Sequence, residues 1–426
     1  MTKRWKLHAL WIWITCLASQ AIATPLQNHL EQYDKNSPTL KAEASNVLAV
    51  KQQANAAGSY AAPEIGFEWG SKAVAPATSN ESMYYGSITL GQEFMFPGKR
   101  DAMKKAETSR ANMAQAEYLT SERNGAFRIA AAYLDIYMVQ QRRQVLDSSL
   151  HLLASILESA RRRFATGMTG MEDIFRLQAE LARLHSDSMS LAGDDRAMQL
   201  MLCSILDTES SMSVPPIHFN DTLTILPSAD SLIILAHSRS EVKGMASATH
   251  MAQSEIDAAR LRKIPDMMLQ GRYMVMMGPP EWALMVGFKI PIAPWASNEI
   301  SSAEGVAKSR EQEAKNREQA MRLMVNHEIR EALLRMETAH DRLVQVRSEQ
   351  LTTAESALHS AVTAYSNNKS DLAMSLDAAR MVLMAKEDIV MAKTNWLQAI
   401  LTVEKAAGVR PGTWLPESSA TDGVLP

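Results

Sequence analysis

The chain is written twice. Two proline-free stretches, 98–214 and 295–410, run for 117 and 116 of the 426 residues. Each follows a short segment of alternating apolar and polar residues, which in turn follows a helical stretch closed by a proline. Superposing the halves at an offset of 202 pairs Leu40 with Val242, Ala56-Ala57 with Ala258-Ala259, and Pro63 with Pro265. At an offset of 196, Ile88, Leu90 and Gly91 fall on Leu284, Val286 and Gly287. At 201, Phe164 and Gly167 fall on Tyr365 and Asn368. Small changes of offset are loop insertions, and a consistent series over about 170 residues marks a tandem duplication. Whatever this chain folds into must use each element twice.

Each half reads as helix, two strands, then two long helices. Helical stretches near 38–58 and 230–262 end at Pro63 and Pro265, whose predecessors must leave the α region. Strands are expected at about 61–71, 82–96, 265–276 and 282–292. In the first, Ile65, Phe67 and Trp69 alternate with Glu64, Gly66, Glu68 and Gly70. In the second, Tyr84, Ile88, Leu90, Phe94 and Phe96 share a parity against Ser87, Thr89, Gly91 and Glu93. In the fourth, Trp282, Leu284, Val286, Phe288, Ile290 and Ile292 share a face, with Lys289 on the other. Period two with one apolar face is a strand signature. Runs of about 10 residues suit a tilted transmembrane strand. Four strands of a soluble sheet fit the same pattern.

The long helices constrain the choice. Residues 99–164 carry one turn candidate, Asn124-Gly125, and otherwise read as helix, on the order of 100 Å long at about 1.5 Å per residue. Residues 297–364 repeat that length, and shorter helices run over 170–206 and 371–407. Ala165–Gly170 and Ser366–Ser370 form the turns between long and short helix; their glycine and asparagine tolerate left-handed backbone. Helices of this length cannot bury their apolar stripes in one compact monomer, so they should pair as antiparallel coiled coils and associate with other chains. The expected fold class is mainly α with membrane β. Open edges are not tolerated in lipid, so membrane strands would have to be pooled by several chains.

The N-terminus points to export. Lys3, Arg4 and Lys6 precede an apolar run from Leu7 to Leu17, and Ala21-Ile22-Ala23 offers a cleavage site, the plan of a secretory signal peptide. Cleavage after Ala23 leaves 403 residues and takes the formal charge from −3 to −6. Thr15 before Cys16 argues against lipidation. Cys203, in an apolar stretch, reads as a buried structural thiol. No later run of 18 apolar residues suggests a transmembrane helix. With 44 basic and 47 acidic side chains there is no surplus for nucleic acid. Two cysteines exclude a disulfide framework or a four-thiolate metal site. The domains expected are the signal peptide (1–23), two repeats (24–220 and 221–408) and an irregular, peripheral tail (409–426).

Several short stretches resemble the TolC-like outer membrane efflux protein family over roughly 30–408. Leu90-Gly91-Gln92-Glu93-Phe94-Met95-Phe96-Pro97-Gly98-Lys99-Arg100 is similar to the family's strand-to-helix exit. Arg163-Phe164-Ala165-Thr166-Gly167, with Asp173-Ile174 and Leu177-Gln178, resembles its helix–turn–helix. Tyr365, Asn368, Leu376, Asp377 and Ala378 fill the same frame in the second half, with Asn368 in place of glycine and no arginine before Tyr365. Family members are themselves such duplications.

The resemblance implies a homotrimer with a twelve-stranded barrel in outer membrane lipid, joined to an α-helical tunnel across the periplasm. It would be the passive exit duct of a tripartite exporter, working with a periplasmic adaptor and an inner-membrane pump such as an RND transporter. The turns, about 164–170 and 365–371, would form the periplasmic tip, with Arg163, Phe164, Gly167, Gly170, Tyr365 and Asn368 as adaptor-docking residues. Asp377, Asp371, Asp173 and Glu172 are candidates for an acidic gate. Three copies of a carboxylate about a threefold axis favour cations, and their mutual repulsion raises their pKa. Equally, Asp371 suits a helix cap, and Asp377 a solvated face.

Methionine is abundant, with 27 residues, and Met267, Met268, Met274, Met276, Met277 and Met285 crowd the second β region. Thioethers suit Cu(I), so copper or silver is one alternative cargo, type I protein secretion another. Methionines in the helices, such as Met198, Met201, Met321 and Met324, also serve as ordinary packing residues. His327-Glu328 is not followed by a second histidine at the position a zinc helix requires, since Glu331 stands there. No enzyme motif, cofactor or nucleic-acid signature is found. An exported adhesive coiled-coil oligomer remains an alternative. The family's adaptor would carry one helical hairpin rather than two.

Overall fold

The computed structural model describes residues 25–73, 82–208, 214–220, 226–275, 279–289, 297–367 and 369–416. The signal peptide with Cys16, Met276, Met277, Ile290, Ile292 and Asn368 lie outside the described residues. In chain order the elements are α1 (Pro25–Asn36), α2 (Pro38–Ala57), β1 (Glu64–Ala73), β2 (Ser82–Phe94), α3 (Lys99–Ala165), α4 (Met171–Ile205), α5 (Ala229–Ala236), α6 (Ser240–Leu261), β3 (Asp266–Val275), β4 (Glu281–Lys289), α7 (Ser297–Gln345), a π-helical turn (Val346–Leu351), α8 (Thr352–Ser366) and α9 (Leu372–Ala407). Two compact units result, each drawing on both halves of the chain: 1–41 with 121–239 and 324–426, and 42–120 with 240–323.

In the second unit the four strands form one antiparallel sheet in the order β1-β2-β3-β4. Its register sorts the side chains by chemistry. Phe67 pairs with Ile88, Ile88 with Tyr273, and Tyr273 with Trp282, so the apolar residues of all four strands share a face. Ile65, Phe67, Trp69, Tyr84, Ile88, Leu90, Tyr273, Val275, Trp282, Leu284, Val286 and Phe288 are each at least 50% exposed. The opposite face carries Glu64, Glu68, Ser87, Thr89, Gln270, Arg272, Glu281 and Lys289. There Glu68 accepts hydrogen bonds from the Tyr85 hydroxyl (2.9 Å) and from Arg272 Nη2 (3.0 Å). A sheet with its polar groups hydrogen-bonded on one face and bare aromatics on the other is inverted relative to a water-facing sheet, where the apolar face is the covered one. β1 and β4 each leave one edge without a strand partner among the described residues.

The Pro97-Gly98-Lys99-Arg100 exit has a definite structural task. Lys99 Nζ donates to both carboxylate oxygens of Asp266 at 2.8 Å and to the Ile264 carbonyl at 2.7 Å, while the Phe96 N–H donates to Asp266. The Arg100 guanidinium lies over the Tyr60 ring, 3.8 Å from its centroid. The start of α3 is thereby tied to the foot of β3.

The first unit is helical. Ile129, Ala130, Tyr133, Leu134 and Ile136 of α3 and Trp396 and Leu397 of α9 are almost wholly buried. Phe219 meets Tyr133 and Tyr137 edge-on, and Lys393 Nζ donates to the Phe219 carbonyl at 2.7 Å, which holds the segment 214–220. Cys203 is buried.

Four details differ from expectation. Asn124-Gly125 makes no turn: α3 runs unbroken for 67 residues. Gly125 is instead a contact point, because a Cβ there would lie 1.9 Å from the Tyr33 hydroxyl. The stretch 230–262 is two helices, α5 and α6, interrupted at 237–239. The long helix expected over 297–364 contains the π-helical turn before α8. Finally, residues 409–416 contain no helix or strand but are not peripheral. Buried Glu404 of α9 accepts the backbone N–H groups of Gly412 (2.8 Å) and Trp414, and Arg410 pairs with Asp34 at 2.7 Å. Pro411 and Leu415 are buried. Burial pushes the Glu404 carboxyl up to about 7. Among the described residues no helix is long and apolar enough to cross a membrane.

Candidate functional site

The two helix–turn–helix segments are built on one plan within the first unit. After α3, the Met168 N–H donates to the Arg163 carbonyl and the Gly167 N–H to that of Phe164, both at 2.9 Å. This is the paired bonding of a Schellman ending, and Gly167 at φ +72° supplies its left-handed residue. Nothing lies within 4 Å of a Cβ placed there, so the backbone alone asks for glycine. After α8, the Lys369 N–H donates to the Ala364 carbonyl at 2.8 Å, the same bond 201 residues on. Asn368, the counterpart of Gly167, lies outside the described residues. Gly170 sits at the N-cap of α4 in extended conformation, without a side chain to cap it.

Three of the side chains singled out in the sequence meet across these turns, with Thr169 beside them. Arg163 of α3 donates to the Tyr365 carbonyl, and its guanidinium stacks on the Tyr365 ring at 4.3 Å. The Tyr365 hydroxyl donates to Asp173 Oδ2 of α4 at 3.2 Å. Thr169 donates to the same oxygen. Asp173 is thus the receiving end of a latch joining the first hairpin to the second. Tyr365 is 3% exposed, and burial raises its phenol above the ordinary value. Behind the latch, Ile174 and Leu177 of α4 pack in one core with Leu372, Leu376 and Ala379 of α9.

The remaining acids stand apart. Asp371 is the N-cap of α9, its carboxylate accepting the Met374 N–H at 3.2 Å. Glu172 is exposed and pairs with Arg176 one turn along α4. Asp377, with its side chain 72% exposed, touches Arg380 at 3.4 Å. Phe164 is exposed beside the turn.

A second link was not foreseen. Glu180 of α4, only 7% exposed, accepts from Arg380 of α9 at 2.8 Å and from Arg183 of its own helix at 2.9 Å. The Arg380 hydrogen bond, against the cost of burial, holds the Glu180 carboxyl down to about 2. Glu180 and Arg380 stand at similar heights beyond their turns, which is the one signal the duplicated sequence offered. Together the latch and this pair can hold two hairpins in one arrangement and release them without breaking a covalent bond.

Residues 30–192 match the family model for outer membrane efflux protein. No curated protein matches the chain in sequence. Among solved structures, the outer membrane protein VceC of Vibrio cholerae superposes with a TM-score of 0.77 at 19% identity, over 90% of this chain and 96% of its own. The outer-membrane channel OprN gives 0.79 at 16% identity, over 91% and 90%. The CmeC outer membrane channel of Campylobacter jejuni gives 0.71 at 16% identity, over 93% and 88%. Residues 30–192 are therefore similar in sequence to the outer membrane efflux protein family, and the chain over nine-tenths of its length has the fold of these outer membrane channels.

Proposed function

We propose that the chain is a passive outer-membrane export channel: three copies pool their strands into a twelve-stranded barrel, and their helical hairpins form a tunnel in the periplasm. The sheet carries this reading. Its exposed apolar face has no covering layer among the described residues, and its two edges are open. Lipid suits the first, and only pairing with further copies of the sheet removes the second. Twelve strands is an even number inside the range of known barrels. The tunnel end is closed by the Arg163–Tyr365–Asp173 latch, with Glu172 and Asp377 left exposed on the helices that follow the turns. An adaptor binds at the turns through Phe164 and its neighbours, and an inner-membrane pump supplies the energy. No chemistry is performed on the cargo.

The test is the mass and image of the detergent-extracted mature chain. A trimer forming a hollow tube is expected. A water-soluble monomer or dimer without a detergent belt would end the channel reading and favour an exported coiled-coil protein.

A further inference from the structure

α9 segregates its apolar residues by chemistry. Its four methionines, Met374, Met381, Met384 and Met391, are 61%, 51%, 63% and 49% exposed. They are the large apolar residues of its open side, while Leu372, Leu376, Val382, Val390, Leu397 and Leu401 are buried. Methionine is ordinarily an interior residue. A stripe needed only for packing would accept leucine or valine, as α7 does at exposed Val306, Leu323, Leu334 and Val344, alongside the single exposed Met324. On α9 every exposed large apolar residue is a methionine.

The stripe is also ordered. Met374, Asp377, Met381, Met384, Asp388 and Met391 follow one another at spacings of three and four, a heptad seam along one side of the helix. At its centre Met381 and Met384 are one turn apart, with Asp377 four residues before and Asp388 four residues after. Side chains three apart have Cβ atoms about 5–6 Å from each other. Their flexible, unbranched stems let two sulfurs turn to a single ion. Thioethers are soft ligands that select Cu(I)-like ions, whereas carboxylates are hard and contribute negative field rather than bonds. Three arginines share a pocket with Met384, and each is engaged by an acid: Arg380 by Glu180 and Asp377, Arg183 by Glu180 and Asp187, and Arg142 by Glu387. Among the described residues no group of three histidines, cysteines or acids is placed to hold a metal. The methionines of the β region are split between faces: Met267 pairs with Phe94 and Phe288 on the apolar side, while Met268, Met274 and Met285 lie on the polar one.

We propose that Met381 and Met384 form a binding station for a soft monovalent cation, Cu(I) or Ag(I), in the field of Asp377 and Asp388. Binding stands on these residues alone; its meaning as a station for cargo rests on the channel reading.

The probe is Ag(I), added to the detergent-solubilised mature chain. Silver retained per chain is measured by elemental analysis after gel filtration, and its ligands by X-ray absorption. M381L/M384L keeps volume and apolarity, a swap that cores tolerate well. It is expected to remove one sulfur-ligated silver per chain, while M374L/M391L retains it. D377N/D388N is expected to weaken binding by about tenfold, the scale of a supporting-group loss. Silver absent from the wild type, or held equally by M381L/M384L, would overturn the proposal. If the double variant fails to form the wild-type particle, M381L and M384L singly read the same loss. Silver bound by a particle that is not a trimeric tube keeps the site and removes the cargo reading.

Discussion

Tyr365 shows how much a single residue can decide here. Its hydroxyl donates to the Asp173 carboxylate and its carbonyl accepts from Arg163, so one side chain and one backbone group connect both hairpins. A hydrogen bond to a charged group contributes about 1.5–3 kcal/mol. Tyr365→Phe removes that bond and keeps the ring, so it should raise conductance or open frequency in planar bilayers. Unchanged conductance would mean that the contact does not hold the tip closed. Glu180 gives a different readout. Its carboxyl is held at about 2 against an ordinary 4.5, so its stabilising effect is complete above about 4.5 and is lost as pH falls through about 2. Thermal stability in detergent should therefore decline over that acid window, and Glu180→Gln should flatten the decline. Arg380→Ala should cost about 1–3 kcal/mol at neutral pH by leaving a buried acceptor short of a donor; an unaltered melting temperature would exclude the pair as a brace. The residue types at the turns were legible because Gly167 and the N-cap Asp371 answer local backbone needs. The partner of Tyr365 was not, because Asp173 lies 192 positions away and nothing local selects it.

The strands were the most legible elements, because their side-chain period is two and a shift of one residue would reverse both faces. The register fixes which face is which, and it supplies a paired test. Leu284 lies on the apolar face and Gln270 on the polar one. A lysine facing lipid near the middle of a barrel costs about 2–4 kcal/mol. Leu284→Lys should reduce the assembled, membrane-extracted channel, while Gln270→Lys leaves its amount unchanged. Equal recovery of both variants would place neither face in lipid. Helix interruptions were less legible. Asn124-Gly125 has the composition of a turn, yet it lies inside α3 because Tyr33, far away in sequence, needs a backbone without a Cβ to rest on. Composition reports what a turn tolerates; it does not report what packs against it.

For the whole molecule, the plan is legible in the order of residues: a duplicated chain of long helices and short strands, with one apolar face per strand and a tight turn after each long helix. These follow from period and local backbone preference, which act between neighbours in the chain. The rest was settled by folding in three dimensions. It joined β2 to β3, so that hairpins from the two halves make one sheet whose two edges have no strand partner among the described residues. It brought Arg163, Tyr365 and Asp173 together, paired Glu180 with Arg380, and buried Glu404 under the segment 409–416. It also sorted the methionines of α9 from its leucines and valines. Such choices depend on contacts between residues distant in sequence, whose energies are set by desolvation and fit in three dimensions and leave no local period to read.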